Sequence, residues 1–330
     1  MSEATAENLD VVQRRHLAML RSALGPDIVT ALEDPDVVEV LLNPDGSLWI
    51  DRLRAGRAPT GLSLPKSASE RIIRLVAACV GMEVHRSAPI VSAELPGTGE
   101  RFEGVLPPIV RAPTFAIRKR AVGVIRLEAY VRDGILTEPQ AEFLRHAVRA
   151  RLNILIAGGT STGKTTLANA LLQEVAQTRD RVIVLEDTVE LQCLAEDHVP
   201  LRTKPGVVSM AELVRSTLRL RPDRIIVGEV RGGEALDLLK AWGTGHPGGI
   251  ATIHAGSAMG ALTRLEQLIQ EVVDTAPRNL IAETLDVIVF LDGRGAERRV
   301  REIVQVTGLT HHQYDLTPFH TNVGDRDENV

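Results

Sequence analysis

The run Gly158-Gly159-Thr160-Ser161-Thr162-Gly163-Lys164-Thr165-Thr166 meets the pattern G-x-x-x-x-G-K-[ST] in full. It stands between a short apolar run, residues 153–157, and an apolar-periodic one, residues 167–175. That order predicts strand, glycine loop and helix. The glycines let successive backbone N–H groups converge on one concavity at a helix N-terminus, where a polyphosphate is favoured. In such a loop Lys164 reaches the β- and γ-phosphates, and the Thr165 hydroxyl binds Mg²⁺.

Two further apolar runs end in carboxylates. Residues 181–186 lead through Glu186 into Asp187 and Glu190, and residues 224–227 lead through Gly228 to Glu229. Strand ends face the ligand crevice of an open α/β sheet. Glu186, Asp187 and Glu190 can position Mg²⁺ through water there, the plain alternative being solvated strand-end acids. Glu229 can orient or deprotonate a water that attacks a γ-phosphate. Asp223 precedes its apolar run instead of following it, so it reads as a loop or capping acid. Residues 244–255 place a glycine-rich loop and a strand between His246 and His254. His254 falls at a strand end, where it can bond a γ-phosphate; a structural histidine is the alternative.

These residues need a scaffold. Apolar runs at 153–157, 181–186, 224–228 and 249–253 alternate with helical patterns, which predicts a doubly wound, mostly parallel α/β core with ligands at the carboxyl ends of its strands. Thr137-Glu138-Pro139-Gln140 opens the helix before the phosphate loop with a capping-box pattern and an early proline. Residues 287–291 and 299–306 read as a later strand pair. Upstream, the pattern predicts an amphipathic helix over 9–24, a hairpin of 37–42 and 47–52 turned by Asn43-Pro44-Asp45-Gly46, a helix over 67–82, and strands at 89–93, 101–105 and 115–119. The expected layout is a smaller α+β domain at 1–122, a linker at 123–136, the phosphate-loop domain at 137–320 and a polar, acidic, disordered tail at 321–330.

A 330-residue chain with 44% hydrophobic residues can build two cores. Its net charge of −5 gives no overall basic field of the kind that drives non-specific nucleic-acid binding. Only five of its 38 basic residues are lysines, so Lys164 stands out. Cys79 and Cys193 lie far apart without a C-x-x-C partner, which indicates neither a disulfide framework nor a zinc site. No apolar run approaches the roughly 20 residues of a membrane span, so membrane association is expected to be peripheral.

In order, the phosphate loop, the acidic strand end, the Gly-Glu strand end and the paired-histidine strand resemble the type II/type IV secretion ATPase superfamily. The stretches Asp34-Pro35-Asp36-Val37-Val38-Glu39-Val40, Asn43-Pro44-Asp45-Gly46, Gly99-Glu100-Arg101-Phe102-Glu103-Gly104-Val105-Leu106-Pro107-Pro108 and Phe115-Ala116-Ile117-Arg118-Lys119 are most similar to the conjugal transfer members of its type IV branch. The resemblance covers nearly the whole chain. It implies a RecA-like P-loop NTPase core behind a smaller α+β N-terminal domain, with ATP as substrate and Mg²⁺ as cofactor. It makes Glu186, Asp187 and Glu190 an Asp box, Glu229 the Walker B glutamate, and His246 to His254 a His box. It also brings Arg101 and Arg118 to the nucleotide. It further implies a hexameric ring at the cytoplasmic face of the inner membrane, working with membrane components of a type IV secretion or conjugation machine and its coupling protein. Type II secretion and pilus motors share these boxes, but the type II members usually carry a tetracysteine motif that this chain lacks. A recombinase or helicase would want basic DNA-binding loops. A nucleotide-gated scaffold without turnover is a further alternative, against which Glu229 alongside Lys164 argues.

Overall fold

The computed structural model describes residues 3–53, 55–119, 125–204 and 206–319, with side chains from residue 15 onward. The expected tail and the first two linker residues, 123 and 124, fall outside the described residues. The chain divides into two compact units, residues 1–122 and 123–330.

The first unit runs α1 (Glu3–Glu33), β1 (Val37–Leu42), β2 (Ser47–Arg52), β3 (Gly56–Ser63), α2 (Lys66–Cys79), β4 (Ile90–Glu94), β5 (Arg101–Val105) and β6 (Thr114–Arg118). The first helix does not stop at residue 24 as expected. It breaks at Gly25, which takes φ 76°, and Pro26 restarts it, so that Ile28 and Ala31 extend the apolar face. The β1–β2 turn is held by the Asp45 carboxylate, which accepts from the Ser47 amide at 2.8 Å and the Ser47 hydroxyl at 2.6 Å. The strands form one antiparallel sheet in the order β3-β2-β1-β6-β5-β4. Leu20, Leu24, Ile28, Ile72, Ile73 and Val76 of the two helices pack on Val40, Leu42, Phe102, Phe115 and Ile117 of the sheet.

The second unit runs α3 (Leu127–Arg132), α4 (Glu138–Arg149), β7 (Ile154–Gly158), α5 (Lys164–Val175), β8 (Val182–Glu186), β9 (His198–Arg202), α6 (Met210–Thr217), β10 (Arg224–Val227), α7 (Glu234–Gly243), β11 (Ile250–His254), α8 (Ala258–Ile269), α9 (Arg278–Thr284), β12 (Val287–Asp292), β13 (Arg299–Thr310) and β14 (Gln313–Pro318). Its sheet has the order β14-β13-β12-β7-β11-β10-β8-β9. The six strands from β12 to β9 are parallel, and β13 and β14 add an antiparallel edge. Ile154, Ile156, Val182, Val184 and Ile226 face α3, α4 and α5, whereas the alternate residues Leu155, Ala157, Ile183, Leu185 and Ile225 face α6 to α9. Burial on both faces is why these strands read as continuous apolar runs. The Thr137 capping box forms as expected. Residues 127–132, expected as linker, are a correction: Leu127 and Tyr130 are buried in the layer of α4 and α5, and that burial makes a helix of them. The edge strands β3, β9 and β14 had no counterpart in the expected pattern.

Parallel register sets the carboxyl ends side by side. Gly158 lies opposite both His254 of β11 and Leu291 of β12, and Val227 lies opposite both Leu185 and Ala251.

Candidate nucleotide site

The phosphate loop leaves β7 at Gly158 and enters α5 at Lys164. A Cβ at Gly158 would stand 2.6 Å from Thr162 Oγ1 and 2.7 Å from the Leu291 carbonyl oxygen, so the strand can turn here only with glycine. Gly163, at φ 94°, caps α5 in the left-handed region and leaves the first amides of the helix facing the loop. Lys164 is only 7% exposed. Its Nζ donates to the carbonyls of Gly158 at 3.1 Å and Gly159 at 2.8 Å, and lies 3.5 Å from each ring nitrogen of His254.

His254 closes β11, and its Nε2 sits 3.0 Å from Glu229 Oε1. Glu229 is held two residues beyond β10 by its neighbours: the Gly228 amide donates to the Leu185 carbonyl at 2.9 Å, and the Val230 amide to that of Thr252 at 2.9 Å. Its other oxygen accepts from Arg231 Nη2 at 2.6 Å. Burial pushes the Glu229 carboxyl up, but the Arg231 hydrogen bond and charge, with the charges of His254 and Lys164, more than reverse this and hold it below the ordinary glutamate value. Lys164, His254 and Glu229 therefore form one connected chain of polar groups across three strand ends.

The acids after β8 divide their work. Glu186, 4% exposed, accepts the amides of Glu190 at 2.8 Å and Leu191 at 2.7 Å, which folds the following loop back over the strand end. Asp187 accepts from the Thr203 hydroxyl at 2.7 Å and lies 3.7 Å from Arg231 Nη1. The Glu190 carbonyl accepts from Asn169 of α5 at 3.1 Å. Asp223 acts as the expected capping acid at the far end of the sheet, accepting the Arg181 amide at 2.8 Å.

His246, the other member of the expected His box, precedes β11, and its Nδ1 lies 2.8 Å from the Pro222 carbonyl, before β10, so the strand that presents His254 places His246 at the opposite end of the sheet. Arg101 and Arg118 belong to the first unit, as direct partners on β5 and β6. Arg101 also faces Glu94 on β4, and Arg118 faces Glu39 on β1, so the two arginines sit in a charged rung flanked by acids.

Two residues that bear on this geometry had no place in the sequence reading. Arg231 links Glu229 to Asp187, and Arg298 lies against Gly163. A cavity of about 370 Å³ opens among Gly159, Thr160, Thr162, His254 and the β12–β13 turn at Asp292 and Arg294. Its position beside both the loop and His254 suits the terminal phosphates of a nucleotide.

Residues 67–307 match the family described as "Type II/IV secretion system protein". The chain is 50% identical to a probable conjugal transfer protein TrbB of Sinorhizobium fredii, over 92% of this chain and 93% of that protein. It is 35% identical to the type IV secretion system protein PtlH of Bordetella pertussis, over 84% of this chain and 93% of that protein. Among solved structures, the Legionella pneumophila ATPase DotB aligns with a TM-score of 0.57 over 79% of this chain and 73% of that one. At 18% identity this last likeness concerns the fold alone. The doubly wound core is accordingly a RecA-like one, and the chain belongs to the type II/IV secretion system protein family.

Proposed function

We propose that this protein hydrolyses ATP with Mg²⁺ and drives a type IV secretion or conjugal transfer apparatus. It does so as a homo-oligomeric ring, six subunits by family resemblance, at the cytoplasmic face of the inner membrane and in contact with membrane components of that machine. The observation that carries the reading is the Lys164–His254–Glu229 chain at the mouth of the phosphate loop. The high identity to a probable conjugal transfer protein favours the type IV branch.

The residues fit a Mg²⁺ ion held largely by phosphate oxygens and water. Thr165 offers its hydroxyl in the first turn of α5, while Glu186 and Asp187 are already anchored by hydrogen bonds and suit an outer role, with Glu190, through water. When bound, the ion would neutralise charge on the β- and γ-phosphates. Lys164 exchanges its loop carbonyls for those same phosphates, and the loop amides bind the rest of the chain of phosphates. His254, released from Lys164, bonds the γ-phosphate and remains beside Glu229. Glu229 is ionised at neutral pH and orients the attacking water, taking its proton as the bond to the γ-phosphorus forms.

Steady-state hydrolysis and nucleotide binding test this together. Lys164→Ala should abolish turnover, whereas Glu229→Gln should bind ATP and lose about 10²-fold or more in hydrolysis, the scale of general-base loss. Turnover of Lys164→Ala within a few-fold of wild type would overturn the loop assignment. Binding without turnover in Glu186→Gln instead of Glu229→Gln would move the base to β8.

A further inference from the structure

The chain leaving β12 passes directly over the phosphate loop. Leu291 is paired with Gly158, and Asp292, Gly293 and Arg294 line the cavity with Gly159 and Thr160. A short 3₁₀ turn, Gly295–Glu297, then brings Arg298 back against the start of α5. A Cβ built on Gly163 would lie 3.1 Å from Arg298 Cζ, 3.1 Å from its Nε and 3.3 Å from its Nη1. The guanidinium thus covers the one loop glycine that caps the helix.

This arginine is poorly satisfied. Its Nε is buried and, among the described residues, has no hydrogen-bond partner. Tyr130, 1% exposed, has a hydroxyl that is likewise without a hydrogen-bond partner among the described residues. Burial pushes the Tyr130 phenol up, and the Arg298 charge opposes that shift. A buried N–H without an acceptor is unfavourable, and the partly exposed remainder of the guanidinium keeps donors in a planar fork that match phosphate oxygens. Its place along the loop decides which phosphates these are. Lys164, His254 and Glu229 gather at the Gly158 end, whereas Arg298 lies at Gly163, where loop amides cradle the α- and β-phosphates.

We propose that Arg298 is a phosphate ligand supplied by the same chain, closing over the α- and β-phosphates of the bound nucleotide and recognising ADP and ATP alike. The inference rests on the nucleotide reading above. It assigns to the β12–β13 turn a role in holding nucleotide through the whole hydrolytic cycle, since the contact survives loss of the γ-phosphate.

The test is the affinity of MgADP and of a non-hydrolysable MgATP analogue for wild type, Lys164→Ala, Arg298→Gln, Arg298→Met and Arg298→Lys, with thermal unfolding of each. Arg298→Met keeps the aliphatic packing over Gly163, so it stays folded if packing is what the site needs. Loss of hydrogen bonds to a charged group predicts that Gln and Met weaken both nucleotides together by about tenfold or more, with Lys recovering part of the loss. Folded Met or Gln variants that bind ADP within twofold of wild type, or that lose the ATP analogue alone, would overturn the assignment. Wild type that binds neither nucleotide would overturn the nucleotide reading itself and this inference with it. Wild-type binding with a silent Arg298 removes only the latter.

Discussion

Glu229, the proposed base, is kept weak by its own neighbours. The Arg231 guanidinium donates to one of its oxygens and His254 sits against the other, so both carboxylate oxygens are engaged. Because the folded value lies below that of an ordinary glutamate, the interaction is present above the ordinary range and disappears as pH falls through the lowered value. Removing Arg231 leaves burial, which acts upward, as the largest influence. Arg231→Ala should therefore move the acid limb of the kcat/KM profile for ATP to higher pH than in wild type. An unmoved limb would mean that Arg231 does not set the protonation of this carboxylate. Lys164, Glu229 and His254 were legible from sequence because each ends an apolar run at a fixed offset. Arg231 and Arg298 were not: in a chain this rich in arginine, neither has a periodicity or a spacing that separates it from surface cations. The strand between His246 and His254 was legible too, and it sets the two histidines at opposite ends of the sheet.

The elements legible in the sequence are those buried on both faces or on one clear face. The strands β7, β8, β10 and β11 announced themselves as short apolar runs, and α4 by its capping box. The strands that escaped, β3, β9 and β14, all lie at sheet edges and all contain a proline, Pro59, Pro200 and Pro318. An edge position tolerates a missing amide and a polar face, which erases the pattern that reveals a strand. At the end of the core sheet opposite the phosphate loop, β10 begins with Arg224, a 1% exposed guanidinium. It donates to Asp180 at 2.6 Å, to the Val148 carbonyl at the end of α4 at 2.9 Å, and to the Gly248 carbonyl before β11 at 3.2 Å. Asp180 also binds Arg151 and is the carboxylate that balances the buried charge. Asp180→Ala should destabilise the second unit by about 3–5 kcal/mol, the scale for leaving one member of a buried pair uncompensated. Chemical denaturation followed by a probe in that unit measures this; a loss below about 1 kcal/mol would mean that the carbonyls and water suffice for Arg224.

At the scale of the whole molecule, the second unit presents its site to solvent, since the His254 side chain is 45% exposed. Phosphoryl transfer wants charge stabilisation from several directions and a site closed to water. The first unit supplies guanidinium groups in pairs: Arg101 and Arg118 are cross-strand neighbours, an arrangement that repels internally and is relieved by the acids Glu94 and Glu39 on either side or by an anion. The proposed ring mechanism predicts that these arginines would reach a γ-phosphate, and that its loss on hydrolysis would free the first unit to move and pass the motion to neighbouring subunits. Mg²⁺ with a non-hydrolysable ATP analogue should therefore stabilise a hexamer of the 35.8 kDa chain, read by light scattering. Arg118→Ala should lower turnover far more than it weakens ADP binding, because ADP lacks the phosphate that this residue would recognise. The contrast with Arg298, whose loss should weaken ADP and ATP equally, separates a ligand present throughout the cycle from a sensor of the terminal phosphate. A monomer under these conditions, or equal loss of ADP and ATP affinity in Arg118→Ala, would leave the ring mechanism without its sensor.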